Sequence, residues 1–144
     1  MLLLDAIAQV ETGNTVAVGD HGAAISKYQI HRAVWQDVKL RFGDPRNPER
    51  GKPYLDVGAK WEDIGGADTT SQLRARACAN AQIVIIEEYL LRHGAACTAE
   101  NIYACWNLGR EGFKRRAFHL DQCPPRTIRA AMEVARLAAT KKEK

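Results

Sequence analysis

The sequence predicts an α+β domain that is predominantly α, with a buried central helix and a small β-hairpin or ribbon. Three observations lead there. A stretch over 69–93 starts with helix-capping residues, ends at Gly94 and is apolar on nearly every side at IVIIEEYLL. The segment TVAVGDHGAAISKYQI alternates β-formers with Gly19, Asp20 and Gly22. Most of the remaining chain carries apolar residues at helical spacing.

Residues 1–12 form the first predicted helix: Leu3, Leu4, Ile7 and Val10 fall on one side, Asp5, Gln9 and Thr12 on the other, and Gly13-Asn14 stops it. Glu11 lands inside the apolar stripe, between Leu4 and Ile7. Residues 15–30 give the ribbon, because Gly and Asp supply the turns that join short strands. A second helix over roughly 32–42 presents Val34, Trp35, Val38 and Phe42 and ends at Gly43. The segment 43–68, with Pro45, Pro48, Pro53 and five glycines between 43 and 66, is expected to be mostly irregular and to lie on the surface. Thr69-x-x-Gln72 reads as a capping box for the long helix. A shorter helix capped by Thr98 reaches Trp106, where WNLGREG breaks it. Pro124-Pro125 opens a last helix to about Ala139, since proline is tolerated in a first turn, and 139–144 is expected to be a frayed tail.

A length of 144 residues fits one domain spanning 1–144, able to bury roughly two-thirds of the unfolded chain's surface. Hydrophobic residues at 46% and charged residues at 26% exclude a disordered or collagen-like chain. No run approaches the ~20 apolar residues of a membrane span, so no membrane insertion is expected, and no signal peptide is visible in MLLLDAIAQV. The net charge of +4 suits a polyanionic surface without identifying one. Cys78, Cys97, Cys105 and Cys123 permit free thiols or two disulfides in any of three pairings, and their spacing fits no zinc pattern. His21, His31, His93 and His119 form no metal constellation, and Lys114-Arg115-Arg116 lacks the interleaved aromatics of a nucleic-acid face.

A carboxylate on the apolar face of a helix is desolvated, which favours its protonated form and suits it to general-acid work. On the helical wheel alone, Glu11 is open to that reading and to a structural ion pair.

The run VETGN followed by GDHGAAISKYQIHRAVWQDV resembles the opening of invertebrate-type lysozymes and their bacterial and phage relatives. These carry E-S-G, then D, then G-x-x-Q-I leading into an aromatic-rich helix. It is similar, more distantly, to goose-type lysozymes and soluble lytic transglycosylases. The stretch ENIYACWNLGREGFKRRAF resembles their R-I-H/W-N-G-G-P-x-G or A-Y-N-A-G segment. The likeness covers residues 1–38 and about 100–118, and leaves the middle loop unmatched.

The resemblance implies a lysozyme-like fold with the ribbon beside the cleft, Glu11 as the acid that protonates the leaving sugar oxygen, and Asp20 as the second carboxylate. It places Gln29 in the cleft lining and Asn107 beside the bound sugar, where amides offer donors and an acceptor to hydroxyls. Tyr28, Trp106 and His31 are candidates to stack on or bond to sugar rings. From the residues alone, Asp20 can equally be a turn residue, Gln29 and Asn107 local hydrogen-bonding groups, and Tyr28 and Trp106 core. Two departures stand out: Ser26 replaces the glycine before x-x-Q-I, and Asn107-Leu108-Gly109-Arg110 replaces N-G-G-P.

The implied activity is hydrolysis of the β-1,4 bond between N-acetylmuramic acid and N-acetylglucosamine by a monomer whose partner is peptidoglycan glycan strands, with no cofactor and no metal. The alternatives are a lytic transglycosylase giving 1,6-anhydro products, a catalytically silent wall-binding or virion module, and a nucleic-acid binder supported by charge alone. The resemblance and the missing signal peptide point to a phage-type protein released from the host cytoplasm or carried in the virion.

Overall fold

The computed structural model describes residues 1–44 and 54–140. Among them are six α-helices and one two-stranded antiparallel sheet, in agreement with a mostly α member of the α+β class. The chain divides into two compact units, Met1–Val10 with Ile83–Lys144, and Glu11–Gln82. Helices α1 (Leu3–Thr12) and α3 (Thr69–Arg92) contribute residues to both.

In the unit Glu11–Gln82, α1 ends where Gly13 and Asn14 both turn left-handed, at φ 65° and 66°. The Thr15 hydroxyl donates to Thr12 O at 2.8 Å, satisfying one of the carbonyls a helix end leaves open. The ribbon is shorter than the β-forming text suggests. Strand β1 is Ala24–Ile25 and β2 is Ile30–His31, paired so that Ala24 faces His31 and Ile25 faces Ile30. Gly19 bridges to Ala24 on the other side, which brings residues 19 and 20 towards the His31 edge. Helix α2 (Arg32–Phe42) buries Trp35, Val38 and Phe42 and stops at Gly43, as its spacing requires.

Over the described residues of 43–68 the chain is mostly irregular, as expected, but the expectation that it lies on the surface is corrected. Pro45, Pro48 and Pro53 lie outside the described residues, but Val57, Trp61 and Ile64 are buried and Trp61–Ile64 forms a 3-10 turn. Two indoles explain the burial: Trp35 Nε1 donates to Val57 O at 2.8 Å and Trp61 Nε1 donates to Ile30 O at 3.1 Å. Each satisfies a buried donor and ties the segment, to α2 in one case and to the ribbon in the other. Arg32 lays its guanidinium over Trp61, 4.9 Å from the ring centre.

The capping box at Thr69 is also corrected. Asp68, one residue earlier, caps α3: its carboxylate accepts from Ser71 N at 3.1 Å and from the Ser71 hydroxyl at 2.6 Å, while Gln72 Nε2 donates to Ala67 O at 2.7 Å. Those hydrogen bonds hold the Asp68 carboxyl below its ordinary range. A carboxylate accepts both bonds at once, which a threonine hydroxyl does less well.

In the other unit, α4 (Ala99–Leu108) packs on α6 (Pro125–Ala139) and on α5 (Arg110–Lys114). Thr98 caps α4 by accepting from Asn101 N at 3.2 Å, and proline occupies the first turn of α6. The break after Trp106 is narrower than expected: Gly109 alone, at φ 78°, separates α4 from α5. The buried interior includes Leu4, Ile7, Ile86, Leu90, Ile102, Tyr103, Phe113 and Val134. Helix α3 is not apolar-buried all round, as IVIIEEYLL suggests, for Val84 and Leu91 are exposed. All four cysteines are free thiols, and burial pushes Cys78 and Cys105 up to about 12. The expected frayed tail lies outside the described residues from 141 onwards.

Candidate functional site

Glu11 occupies the last turn of α1 and is partly buried. Its neighbour Thr12 donates its hydroxyl to Lys27 O at 2.9 Å, which fixes this helix end to the turn of the ribbon. The acid candidate therefore sits on a helix terminus braced by the β-element, not on a free edge.

Asp20 and His21 adopt left-handed backbone, φ 50° and 55°, in the 3-10 turn Asp20–Gly22. Such conformations are uncommon outside glycine, although Asp tolerates them better than most residues. The Asp20 carboxylate lies 3.1 Å from His31 Nε2, with the two side chains 68% and 50% exposed. Asp20 and His31 are thus brought together by the ribbon register, as an open pair and not as a desolvated one. An exposed pair of this kind orients its members more than it stabilises the fold.

Gln29 has its own left-handed backbone at φ 53°. Its Nε2 donates to Ala17 O at 3.1 Å and to Ser26 O at 2.9 Å. Both amide hydrogens are therefore used inside the ribbon, and the oxygen lies against Gly19, where a Cβ would collide with it. Gln29 is the clasp of the turn, the local role that its residue type leaves open beside sugar contact.

Tyr28 is fully buried, and its hydroxyl accepts from Arg76 Nη1 at 3.3 Å. Trp106 is likewise buried in α4, so the two aromatics considered for sugar stacking hold core positions. Asn107 is exposed at the end of α4, and its Oδ1 accepts from the Thr127 hydroxyl at 2.6 Å, tying α4 to α6. Trp106 and Asn107 belong to the unit Met1–Val10 with Ile83–Lys144, whereas Glu11, Asp20, Tyr28, Gln29 and His31 belong to Glu11–Gln82.

The departures noted in the sequence have local explanations. Ser26 keeps a left-handed backbone, φ 70°, at the position where glycine would relax it, and its hydroxyl accepts from Tyr28 N at 3.2 Å. Arg110 stacks over Tyr89, 5.6 Å from the ring centre, while the Tyr89 hydroxyl donates to Glu111 at 3.1 Å. Burial, then the Glu111 carboxylate, raises Tyr89 above the usual phenol range.

Sequence reasoning missed a pocket of about 310 Å³ lined by Lys27, Tyr28, Thr69, Gln72, Leu73 and Arg76. Its members come from the ribbon turn and the start of α3, and no spacing rule joins those segments. Among the described residues, no group of three His, Cys, Asp or Glu side chains is placed to hold a metal ion, and no helix is long and apolar enough to cross a membrane. No family model, curated protein or solved structure matches this chain.

Proposed function

We propose that the chain is a lysozyme-like glycosidase that cleaves the β-1,4 bond between N-acetylmuramic acid and N-acetylglucosamine in peptidoglycan, with Glu11 as general acid. The observation that carries this reading is the partly buried Glu11 on a helix end that Thr12 fastens to the ribbon turn. In the reaction, the Glu11 carboxyl gives its proton to the glycosidic oxygen as the C1–O bond breaks, and positive charge develops on the sugar ring. Asp20 then acts from the turn, as nucleophile or as the base that directs water to C1, and water supplies the new hydroxyl. His31 holds the Asp20 carboxylate in one orientation.

One observation favours a second reading. Asp20 is open to solvent and already engaged by His31, which suits it less to attack on C1 than a desolvated, unshared carboxylate would be. A lytic transglycosylase dispenses with that carboxylate: the deprotonated Glu11 takes the proton of the sugar's C6 hydroxyl, whose oxygen closes on C1 to give the 1,6-anhydro product.

Digestion of purified peptidoglycan by the wild type, Glu11→Gln and Asp20→Asn, followed by mass spectrometry of the fragments, tests both readings. Loss of cleavage in Glu11→Gln is expected, with circular dichroism unchanged. Reducing ends identify hydrolysis and anhydro ends the transglycosylase. Intact peptidoglycan with the wild type, or full activity in Glu11→Gln, overturns the proposal.

A further inference from the structure

The net charge of the chain is concentrated in one stretch. Residues 110–129 hold six of the 21 Lys and Arg and two of the 17 Asp and Glu, which accounts for the whole excess of +4. The other 124 residues carry fifteen of each sign. The stretch lies within the unit Met1–Val10 with Ile83–Lys144 and runs from α5 through a 3-10 turn at Leu120–Gln122 into the opening turns of α6. Both of its helices are anchored at the end of α4: Gly109 alone separates α4 from α5, and Asn107 Oδ1 accepts from Thr127, the residue after Arg126. Lys114, Arg115, Arg126 and Arg129 are exposed, and none of their side chains is in an ion pair among the described residues. Glu111, one of the two acids, is taken by the Tyr89 hydroxyl at 3.1 Å.

Structural roles account for the other arginines nearby. Arg116 Nη1 donates to Gly112 O at 2.9 Å, Arg110 lies over Tyr89, and Arg136, further along α6, is paired with Glu133 at 2.6 Å. Lys114 and Arg115 stand at the C-terminal end of α5, where positive charge is favourable. Arg126 and Arg129 have no such reason: they sit in the opening turns of α6, whose first turn has no acidic residue. Cations at that end oppose the helix dipole, and an anion brought from outside relieves them. The charges are spread along a surface and not aimed at one point, since the five residues of α5 alone cover about 7.5 Å. That spread suits a polymer with repeated anions better than a single ion. Three of the four cations are arginines, whose planar forks match phosphate oxygens. The nearest ring, Phe118, is packed edge-on against Phe113 with centroids 5.5 Å apart, so it offers no platform on which a base would stack.

We infer that Lys114, Arg115, Arg126 and Arg129 form a binding surface for a polyol phosphate polymer, a chain of phosphodiesters without bases, which they hold by its backbone phosphates. The inference does not rest on glycan cleavage. A protein that binds the polymer and cuts nothing keeps this surface and loses the glycosidase reading, and cleavage without polymer binding does the reverse.

The test is a fluorescence-anisotropy titration of end-labelled poly(glycerol phosphate) with the full chain, beside oligothymidylate and polyglutamate of the same total charge. Saturable binding of poly(glycerol phosphate) with a Kd of about 1–100 µM at 50 mM salt is expected. Four phosphate contacts at about 0.7 each give a log–log salt slope near −3, so 200 mM salt should weaken binding roughly 50-fold. Arg126→Gln with Arg129→Gln should halve that slope and weaken binding at 50 mM salt by about tenfold or more, with circular dichroism unchanged. Lys114→Gln with Arg115→Gln should do the same. Arg32→Gln with Arg41→Gln, a charge-matched change in Glu11–Gln82, should stay within about threefold of wild type, since only long-range attraction is lost. An equal loss in the charge-matched variant means diffuse attraction to net charge and overturns the inference. So does the absence of saturable binding, or polyglutamate bound as tightly as the phosphodiester. Tighter binding of oligothymidylate than of poly(glycerol phosphate) also overturns it and assigns the surface to nucleic acid.

Discussion

Replacing Ser26 by glycine and, separately, by alanine isolates the backbone strain in the ribbon turn. Ser26 is 2% exposed with φ 70°, and both substitutions remove the same hydroxyl contact to Tyr28 N. That loss therefore cancels in the comparison. A left-handed conformation costs a residue with a Cβ about 1–2 kcal/mol, and glycine escapes it. Glycine gives back about 0.4–1 kcal/mol through the larger entropy of its unfolded chain. The balance leaves Ser26→Gly more stable than Ser26→Ala by about 0.5–1 kcal/mol, the reverse of the order in a helix or strand interior. Against wild type, Ser26→Ala should lose about 1–3 kcal/mol, because Tyr28 N is left without its acceptor in a buried turn. Urea denaturation of the three proteins measures both differences. An alanine variant as stable as the glycine variant, or more so, refutes the strain argument.

Gly19→Ala places a Cβ on the Gln29 amide oxygen and should cost about 1–3 kcal/mol by forcing that amide off Ala17 O and Ser26 O. If so, adding Gln29→Ala to Gly19→Ala costs less than the sum of the two single changes, and strict additivity in denaturant melts speaks against the clash. Trp61→Phe preserves most of the buried ring but orphans Ile30 O, and a loss of about 1–3 kcal/mol is expected; a change within 0.3 kcal/mol, roughly the noise of independent sites, would rule the bond unimportant. Iodoacetamide near pH 8, about the value at which an ordinary thiol begins to ionise, should label exposed Cys97 in the native protein and leave buried Cys78 and Cys105, raised to about 12, until the chain unfolds. Peptide mapping that finds Cys78 labelled as fast as Cys97 contradicts this burial. Asp56 is held below its ordinary 3.8, first by the Gly58 N–H, which outweighs the opposing effect of burial, and then by Arg74. Its stabilisation is present above the unfolded value and is lost as pH falls through the lower folded one, so Asp56→Asn should flatten the acid limb of the stability curve. With the side chain 55% exposed, the effect is below about 1 kcal/mol, and a steeper acid limb in Asp56→Asn reverses the reasoning.

The helices were the most legible part of the chain because periodicity and caps act locally. The bounds of α2, the Thr98 cap and the proline-led α6 all follow from neighbouring residues. The start of α3 is shifted by a residue because two side chains compete for one helix end, and the stronger acceptor at Asp68 wins. Hydrophobicity misled in both directions. Val84 and Leu91 are apolar and exposed, since apolar residues are not obliged to be inside, while Trp61 is buried within a segment whose glycines and prolines suggest open loop. At the candidate site, the position of Glu11 on its helix could be read from the wheel. The pairing of Asp20 with His31 could not, because it depends on Ala24 meeting both Gly19 and His31 across the ribbon. Gln29 was legible as a polar group in a turn, but its partners are backbone carbonyls that only the closed turn presents. The pocket beside Tyr28 was hidden for the same reason: Tyr28 and Arg76 stand 48 positions apart.

The three tryptophans are all buried, Trp35 and Trp61 within Glu11–Gln82 and Trp106 within the other unit. An indole shielded from water emits at shorter wavelength than one in solvent, so each unit carries its own optical label. Trp106 by itself colours the Ile83–Lys144 region, and the other two, fastened by their ring nitrogens to Val57 and Ile30, colour the ribbon and α2. Opening of the ribbon alone would therefore redden the emission of Trp61 while Trp106 kept its native hue.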